Sequence, residues 1–354
     1  MNSKIAFFLI VLSVFIFSCN KWKNEALTPY TLKIPSHFPQ MPVPSDNPMT
    51  VEGVALGKKL FYDPRLSKDN SISCASCHRP DHAFSDPNVI SAGVGGTLGR
   101  RQAMPLFNLG WQQFYFWDGR AKTLEEQILF PVPDPVEMHQ SWEETIEKLA
   151  EDKEYKKAFQ HYFKEKGIDK YKVAKLIAQF LRTLISGSSK YDIMYKTENN
   201  LALSSEESAA VITPEEWAGY ALFKDMNGAD CIHCHNGVLM QIQAFSNNGL
   251  DDEFTDQGRA EVTKSAADMG KFKVPSLRNI GYTAPYMHDG RFATIDEVIN
   301  HYSFNVKTSS SIDPLMEFAF QGGVQLTEEQ RAYLKAFLKT LDDEKFVANP
   351  EFRP

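Results

Sequence analysis

The sequence is short of positive charge and of long apolar runs, and each shortage excludes a class of function. With 38 Lys and Arg against 45 Asp and Glu, the formal net charge is −7, so nucleic acid is not an expected partner. After the first 18 residues, no apolar run approaches the roughly 20 residues that cross a bilayer. We therefore expect a soluble body that is attached to a membrane only through its N-terminus.

Cysteine is also scarce, and four of the five cysteines lie in two Cys-x-x-Cys-His motifs. The motifs are Cys74-Ala75-Ser76-Cys77-His78 and Cys231-Ile232-His233-Cys234-His235. This pattern is typical of c-type haem attachment, in which both thiols add to the haem vinyl groups and the histidine ligates the iron. A disulfide within each pair and a structural zinc site are the alternatives, but zinc knuckles usually lie closer together and need no following His. The motifs predict two covalent haems.

The N-terminus predicts export. Lys4 and the apolar residues 5–17 resemble a signal peptide, which we place at residues 1–18. The fifth cysteine, Cys19, follows at a position that resembles a lipoprotein processing site, where it would become a lipidated N-terminus; simple cleavage nearby is the alternative. We expect a protein on the periplasmic side that is lipid-anchored to a bacterial membrane, which suits haem attachment outside the cytoplasm. The Pro-rich residues 19–48 are predicted to form an extended tether.

Helical periodicity dominates the rest of the chain, and strand alternation is scarce. Ser141, Thr213 and Thr327 are predicted to start helices. An apolar stripe over residues 173–184 predicts another helix, ending near Gly187. Asn, Ser and Glu cluster at residues 199–208, which indicates a domain break. The predicted fold is mainly α, with two cytochrome c-like haem domains at residues 49–200 and 201–345.

Further motifs identify a family. They are Phe116-Trp117-Asp118-Gly119-Arg120-Ala121, Glu126-Gln127, Pro135-Val136-Glu137-Met138, Pro275-Ser276-Leu277-Arg278-Asn279 and Ala284-Pro285-Tyr286-Met287-His288-Asp289-Gly290. Together with the haem motifs, they resemble the bacterial diheme cytochrome c peroxidases and the related MauG subgroup, from about residue 51 to residue 341. The resemblance implies an oxidoreductase whose N-terminal haem reacts with peroxide and whose C-terminal haem handles electrons.

The resemblance also implies roles for individual residues. His78 and His235 become the proximal iron ligands, and Trp117 matches the tryptophan between the haems. Glu137 matches the distal acid/base and Gln127 the distal amide. A Glu at an open haem face is partly desolvated, which favours its neutral form and suits proton transfer. Without the resemblance, Trp117 would be interpreted as a packing residue, and Glu137 and Gln127 as surface polar groups.

A calcium ion between the domains is a further implication of the resemblance. The matching backbone carbonyls belong to Thr283 and Pro285. The side-chain ligand, an Asn in many members, falls on Gln102, which can still offer a carbonyl oxygen but with one more methylene group.

The first departure from other peroxidases concerns the peroxide haem. The distal His that closes this haem in other members falls on Val94, which cannot ligate iron. The nearby His82 follows His78 closely and is expected to contact a haem propionate or the surface. We expect the first haem to be five-coordinate or water-bound in the ferric resting state.

The second departure concerns the electron-transfer haem. Its sixth ligand, a Met in other peroxidases, falls on Tyr302, and MauG also has Tyr there. An anionic phenolate stabilises Fe(III) more than a thioether does and lowers the reduction potential. The alternative is a core tyrosine with His301 as the ligand; one residue along a helix turns the side chain by about 100°, and we favour Tyr302.

Three functions remain open from the sequence. The first is an exported peroxidase that reduces hydrogen peroxide with electrons from a small cytochrome or cupredoxin. The second is a MauG-like oxidase that uses the same chemistry on side chains of a protein substrate. The third is a non-enzymatic diheme electron carrier, which would need two closed haems and conflicts with Val94, Gln127 and Glu137. A homodimer is compatible with all three.

Overall fold

The structure is a computed structural model in which residues 26–354 are described. Three predictions fall on earlier residues and lie outside this range. They are the signal peptide at residues 1–18, the lipidation of Cys19 and the first part of the tether.

The described chain is mainly helical, which confirms the predicted fold class. Its α-helices are α1 (Val51–Phe61), α2 (Cys74–Cys77), α3 (Leu124–Ile128), α4 (Trp142–Glu151), α5 (Lys153–Phe163), α6 (Lys170–Thr183), α7 (Lys190–Glu198), α8 (Ser205–Ala209), α9 (Pro214–Lys224), α10 (Ala260–Thr263), α11 (Ile295–Phe304), α12 (Glu328–Lys339) and α13 (Glu344–Val347). Short 3₁₀ turns lie at Pro64–Leu66, Pro80–His82, Val94–Gly96, Leu109–Trp111, Ala266–Asp268, Ala319–Gln321 and Pro350–Phe352. The strands β1 (Phe245–Ser246) and β2 (Phe272–Lys273) pair in an antiparallel ribbon.

The helices begin where the capping residues predict. Ser141, Thr213 and Thr327 each accept a hydrogen bond from a backbone N–H in the first turn of α4, α9 and α12. Such caps satisfy N–H groups that have no partner inside the helix. Helix α6 contains the predicted apolar stripe but ends at Thr183, before Gly187.

Each half of the chain is built around one close helix crossing. Helix α1 packs on α6 at Gly57, where an added Cβ would lie 1.9 Å from the carbonyl oxygen of Leu176. Helix α9 packs on α12 at Gly219, where an added Cβ would lie 1.9 Å from the carbonyl oxygen of Tyr333. Both crossings therefore depend on a residue without a side chain.

Two apolar cores surround these crossings, and the predicted domain boundary stays a prediction. The first core extends along the chain to Leu184, and the second begins at Tyr191. Helix α7, predicted to end the first domain, thus packs in the second core. The C-terminal residues Phe346 and Phe352 return to the first core and pack against Phe84.

Residues 26–48 pack on the body, which corrects the predicted tether. Phe38 and Met41 are buried in a small cluster with Trp111 and Val238, which come from the two halves of the chain. The indole of Trp111 donates to the carbonyl oxygen of Pro39 at 3.0 Å. The segment buries Phe38 and Met41 against the body, so it is not an extended spacer over this range.

Within residues 26–354, no helix is both long enough and apolar enough to cross a membrane.

Candidate functional site: two adjoining haem cavities

The first cavity contains the first Cys-x-x-Cys-His motif and measures about 460 Å³. Helix α2 places Cys74 and Cys77 in its wall, beside His78. The Nδ1 atom of His78 hydrogen-bonds the carbonyl oxygen of Phe84 at 3.0 Å, and burial lowers the pKa of the imidazole. A neutral imidazole whose Nδ1 is held by a carbonyl leaves Nε2 to ligate a metal. These residues fit a covalently attached haem.

The second cavity repeats this arrangement in about 230 Å³. Cys231, Cys234 and His235 line it, and Nδ1 of His235 lies 3.4 Å from the carbonyl oxygen of Met240. Burial lowers the pKa of His235 to about 4, so this imidazole is also neutral. The second motif therefore fits a haem as the first does.

The alternatives to haem attachment are not supported. The four motif cysteines form no disulfide with each other, and burial raises the pKa values of their thiols to about 11 or 12. Among residues 26–354, no group of three or more His, Cys, Asp and Glu residues could hold a metal ion. The two motifs line separate cavities and do not form one zinc site.

Glu137 and Gln127 line the first cavity together with His78. Helix α3 carries Gln127, and its N-cap Thr123 accepts from the backbone N–H of Glu126. Burial, with a smaller effect of Asp134, raises the pKa of Glu137 to about 7. This carboxyl group can gain or lose a proton near neutral pH.

The loop that contains Val94 supports Glu137. The backbone N–H of Val94 donates to the carbonyl oxygen of Glu137 at 2.9 Å. Ser91 and Gly93 line the cavity, whereas Val94 and His82 do not. His78 is the only histidine in the described lining, which also contains the thioethers Met104 and Met138. The prediction of an open first haem agrees with this lining but is not tested by it.

Trp117 lies in the wall that the two cavities share. Its indole N–H donates to the carbonyl oxygen of Gln102 at 2.8 Å. The residues that line both cavities are Gln102, Pro105, Trp117, Lys273, Pro275 and Ser276. Trp117 therefore lies between the two cavities, and its role between the haems stays a prediction.

Tyr302, and not His301, lines the second cavity. Both residues lie on α11, and the phenol oxygen of Tyr302 accepts from the side-chain amide of Asn248 at 2.9 Å. His301 is directed instead toward the carbonyl oxygen of Asn248, at 3.3 Å. Met287, His288 and Met316 also line this cavity. Burial raises the pKa of Tyr302 to about 12, so only a bound cation would make it a phenolate near neutral pH.

The predicted calcium ligands come together at the same junction. Thr283 and Pro285 line the second cavity, and the buried Gln102 lines both. The amide nitrogen of Gln102 donates to the carbonyl oxygen of Asp86 at 3.1 Å, which leaves its Oε1 as the atom that could bind a cation. The calcium site stays a prediction.

A repeat that sequence reasoning missed explains the similarity of the two halves. Tyr-x-x-Asp-Gly-Arg occurs at residues 115–120 and 286–291. In both copies the Tyr N–H bonds the carbonyl oxygen six residues later, at 2.9 and 2.8 Å, and the Asp carboxylate accepts from the Arg N–H. Trp117 and His288 occupy equivalent positions, and the backbone of Gln102 hydrogen-bonds both residues. The repeated sequence Tyr-x-x-Asp-Gly-Arg would have been enough to identify this repeat without the structure.

Comparisons with known proteins agree with this architecture. A family model described as di-haem cytochrome c peroxidase matches residues 51–200. The chain is 34% identical over 312 residues to the cytochrome c peroxidase Ccp of Escherichia coli, an alignment that covers 86% of this chain but 61% of that protein. It is 35% identical over 307 residues to the methylamine utilization protein MauG of Methylorubrum extorquens, covering 86% of this chain and 82% of MauG.

Comparison with solved structures also finds similarity to a MauG-like protein and to a diheme peroxidase. A crystal structure of a MauG-like protein associated with microbial copper homeostasis matches with a TM-score of 0.81 and 34% identity, covering 91% of this chain and 98% of that one. The diheme peroxidase BthA of Burkholderia thailandensis matches with a TM-score of 0.69 at 22% identity, covering 85% of this chain and 88% of that one. The second similarity concerns the fold alone.

Proposed function

The chain belongs to the di-haem cytochrome c peroxidase family, and we propose that it is an exported peroxidase that reduces hydrogen peroxide to water. The observation that carries this proposal is the composition of the first cavity. A neutral His78, an acid/base with a pKa of about 7 at Glu137 and an amide at Gln127 line one space. An electron carrier with two closed haems would not need a titratable carboxyl group there.

The haem supplies the redox chemistry when it is bound, and the protein supplies protons. Reduction of hydrogen peroxide to two water molecules consumes two protons and two electrons. The Glu137 carboxylate would take a proton from one peroxide oxygen and deliver it to the other, so that the bond breaks with water and not hydroxide as the leaving group. Gln127 can donate a hydrogen bond that orients the peroxide.

Electrons would arrive at the second site from a small external redox protein, a cytochrome or a cupredoxin. Trp117 lies in the wall common to both cavities, so an electron passing between the two sites has an aromatic side chain on its way. In this proposal Trp117 relays electrons between the second site and the first.

The test is rapid mixing of the ferric holoprotein with hydrogen peroxide, with and without prior reduction by one electron. We expect a spectral change at the first haem without prior reduction, followed by turnover when a reduced small cytochrome or cupredoxin is added. Absence of turnover with every such donor, at full haem content, would contradict the peroxidase proposal.

A MauG-like oxidase is the second candidate, and Tyr302 is the observation that favours it. Its phenol group shares the second cavity with His235, as the resemblance to MauG implies. Such an enzyme would use the same peroxide chemistry to oxidise side chains of a protein substrate. Mass spectrometry of a protein partner after incubation with peroxide and the holoprotein separates the two candidates, since only the oxidase changes the partner's covalent mass.

The proposal also includes the location of the protein, its lipid anchor, a calcium ion and a homodimer. We infer export to the periplasmic side, an N-terminal lipid on Cys19 and a calcium ion near Gln102. The mass of the mature N-terminal peptide tests the lipid, and elemental analysis of the dialysed holoprotein tests the calcium. A homodimer is tested by light scattering of the same sample.

A further inference from the structure

Lys273 is a buried cation without an anionic partner. Its side chain lines both cavities, and the residue is 5% exposed. Its nearest side-chain partner is the amide oxygen of Gln112, at 3.3 Å. Within the described residues it forms no ion pair with a carboxylate.

The other cations that line the first cavity are paired. Arg100 contacts Glu261 at 2.6 Å, Arg101 contacts Asp256 at 2.7 Å, and Arg120 contacts Asp118 at 2.9 Å. In the described lining of the second cavity, Lys273 is the only Lys or Arg. Lys273 therefore stands apart from every other cation at the two sites.

Gln241 is a second buried polar residue in the lining of the first cavity. It is 6% exposed, and within residues 26–354 neither its amide nitrogen nor its amide oxygen has a hydrogen-bond partner. It follows the second haem motif in the sequence but lines the first cavity only. The C-terminal half of the chain thus contributes both Gln241 and Lys273 to the N-terminal haem site.

The buried ammonium of Lys273 and the buried amide of Gln241 indicate that a hydrogen-bond acceptor binds in the first cavity. Burying an ammonium or an amide without a partner is unfavourable, and buried polar groups are normally hydrogen-bonded. Both residues line the first cavity, and a carboxylate is a group that accepts from an ammonium and from an amide N–H alike. Carboxylates do line the first cavity, but none within residues 26–354 forms an ion pair with Lys273. A haem carries two propionate carboxylates. Desolvation lowers the pKa of Lys273 to about 8, as expected for a cation whose counter-ion is missing.

We propose that Lys273 and Gln241 form a carboxylate-binding site for a propionate of the haem attached at Cys74 and Cys77. The proposal rests on the haem attachment described above and not on the peroxidase activity. The backbone N–H of Lys273 also donates to the carbonyl oxygen of Trp117 at 2.7 Å, which fixes the cation beside the wall that the two cavities share. Lys273 is a positioning residue that also sets the electrostatic potential at the first haem.

The test is a spectroelectrochemical titration of both haems in the holoprotein, after covalent haem content has been confirmed by mass. Removing a cation favours the ferric over the ferrous haem, so Lys273→Met lowers the potential of the first haem. We expect at least a tenfold fall in its reduction constant, which is about 59 mV for a one-electron couple. Lys273→Arg retains the charge and restores most of the potential.

A matched control comes from the same segment of the chain. Lys271 lies two residues before Lys273, is 3.9 Å from Asp268 and lines neither cavity. Lys271→Met removes the same charge and leaves both potentials unchanged. Gln241→Leu provides an independent variant if Lys273→Met fails to take up haem; it lowers the potential of the first haem and spares the second.

Two outcomes overturn the proposal. The first is an unchanged first-haem potential in Lys273→Met or Gln241→Leu protein that carries both haems. The second is a potential that shifts with added acetate at constant ionic strength in the wild type but not in Lys273→Met, because a free carboxylate would then occupy the site. Neither outcome depends on turnover, so failure here is distinct from failure of the proposed peroxidase activity.

Discussion

Replacing Glu137 by Gln should remove the proton transfer on which peroxide turnover depends. The side chain is partly buried beside the first haem motif, and its pKa is raised from 4.5 to about 7 by desolvation and by Asp134. That difference disfavours the ionised form by about 3 kcal/mol. The Glu137→Gln side chain would keep the shape and lose the titratable proton, so we expect kcat/KM for peroxide to fall by about 10²- to 10⁴-fold, the usual contribution of a general acid–base.

The pH dependence follows from the same raised pKa. The reaction begins with the carboxylate taking a proton, so kcat/KM of the wild type rises about tenfold per pH unit below about 7 and levels off above it. The free energy of unfolding changes with pH in the opposite direction to kcat/KM. Because the folded protein holds this proton more tightly than the unfolded chain, wild-type stability falls as pH rises from 4.5 to about 7, and Glu137→Gln escapes this loss of up to about 3 kcal/mol.

The assay is steady-state peroxide consumption with a reduced small cytochrome between about pH 5.5 and 8.5, normalised to covalent haem. Glu143→Gln is the matched control, because Glu143 is exposed in the first turn of α4 and does not line the first cavity. A Glu137→Gln variant with near wild-type kcat/KM and an unchanged inflection would refute the assignment.

Three other predictions follow from the two cavities and the helix crossings. Trp117→Phe should slow electron transfer between the haems at least tenfold in single-turnover stopped-flow, with both haem spectra unchanged, whereas an unaltered rate would remove Trp117 from the path. If Tyr302 ligates the second haem, Tyr302→Phe should change the spectrum of that haem and raise its potential, because an anionic oxygen ligand that stabilises Fe(III) would be lost; identical titrations would defeat the ligand assignment. Gly219→Ala should lower the free energy of unfolding by about 1–3 kcal/mol in denaturant titrations, because its Cβ would lie 1.9 Å from the carbonyl oxygen of Tyr333; Ala221→Gly on the same helix tests helix propensity alone and should cost about 1 kcal/mol.

Local signals in the sequence predicted the helices well, because capping and periodicity depend on neighbouring residues. Ser141, Thr213 and Thr327 start helices as predicted. The tether was predicted less well, and the domain boundary stays a prediction, because both depend on distant contacts. Polar residues at 199–208 indicated a break, yet α7 before them packs with the second core. Prolines indicated an extended segment, but Phe38 and Met41 find buried positions on both halves of the body.

The functional site, too, was predictable from the sequence only in part. Two Cys-x-x-Cys-His motifs and the family resemblance located His78, His235, Glu137, Gln127 and Trp117, all of which line the expected cavities. Lys273 and Gln241 were not found, because nothing in the local sequence marks a Lys or Gln as buried. Their importance appears only when the fold brings them from the C-terminal half to the N-terminal cavity, where no carboxylate of the described residues pairs with Lys273.

The repeated turn shows how one scaffold can hold two different haem sites. Residues 115–120 and 286–291 share their backbone hydrogen bonds, so the chain presents Trp117 and His288 in the same way in each half. The surroundings of the two motifs nevertheless differ in chemistry. The first cavity has a carboxyl group that titrates near neutral pH, whereas the second has a buried phenol whose pKa is about 12. Because the turn is common to both halves, it cannot itself distinguish the two sites; we propose that the carboxyl group of Glu137 and the phenol of Tyr302 contribute to dividing the work between a reactive haem and an electron-storing haem.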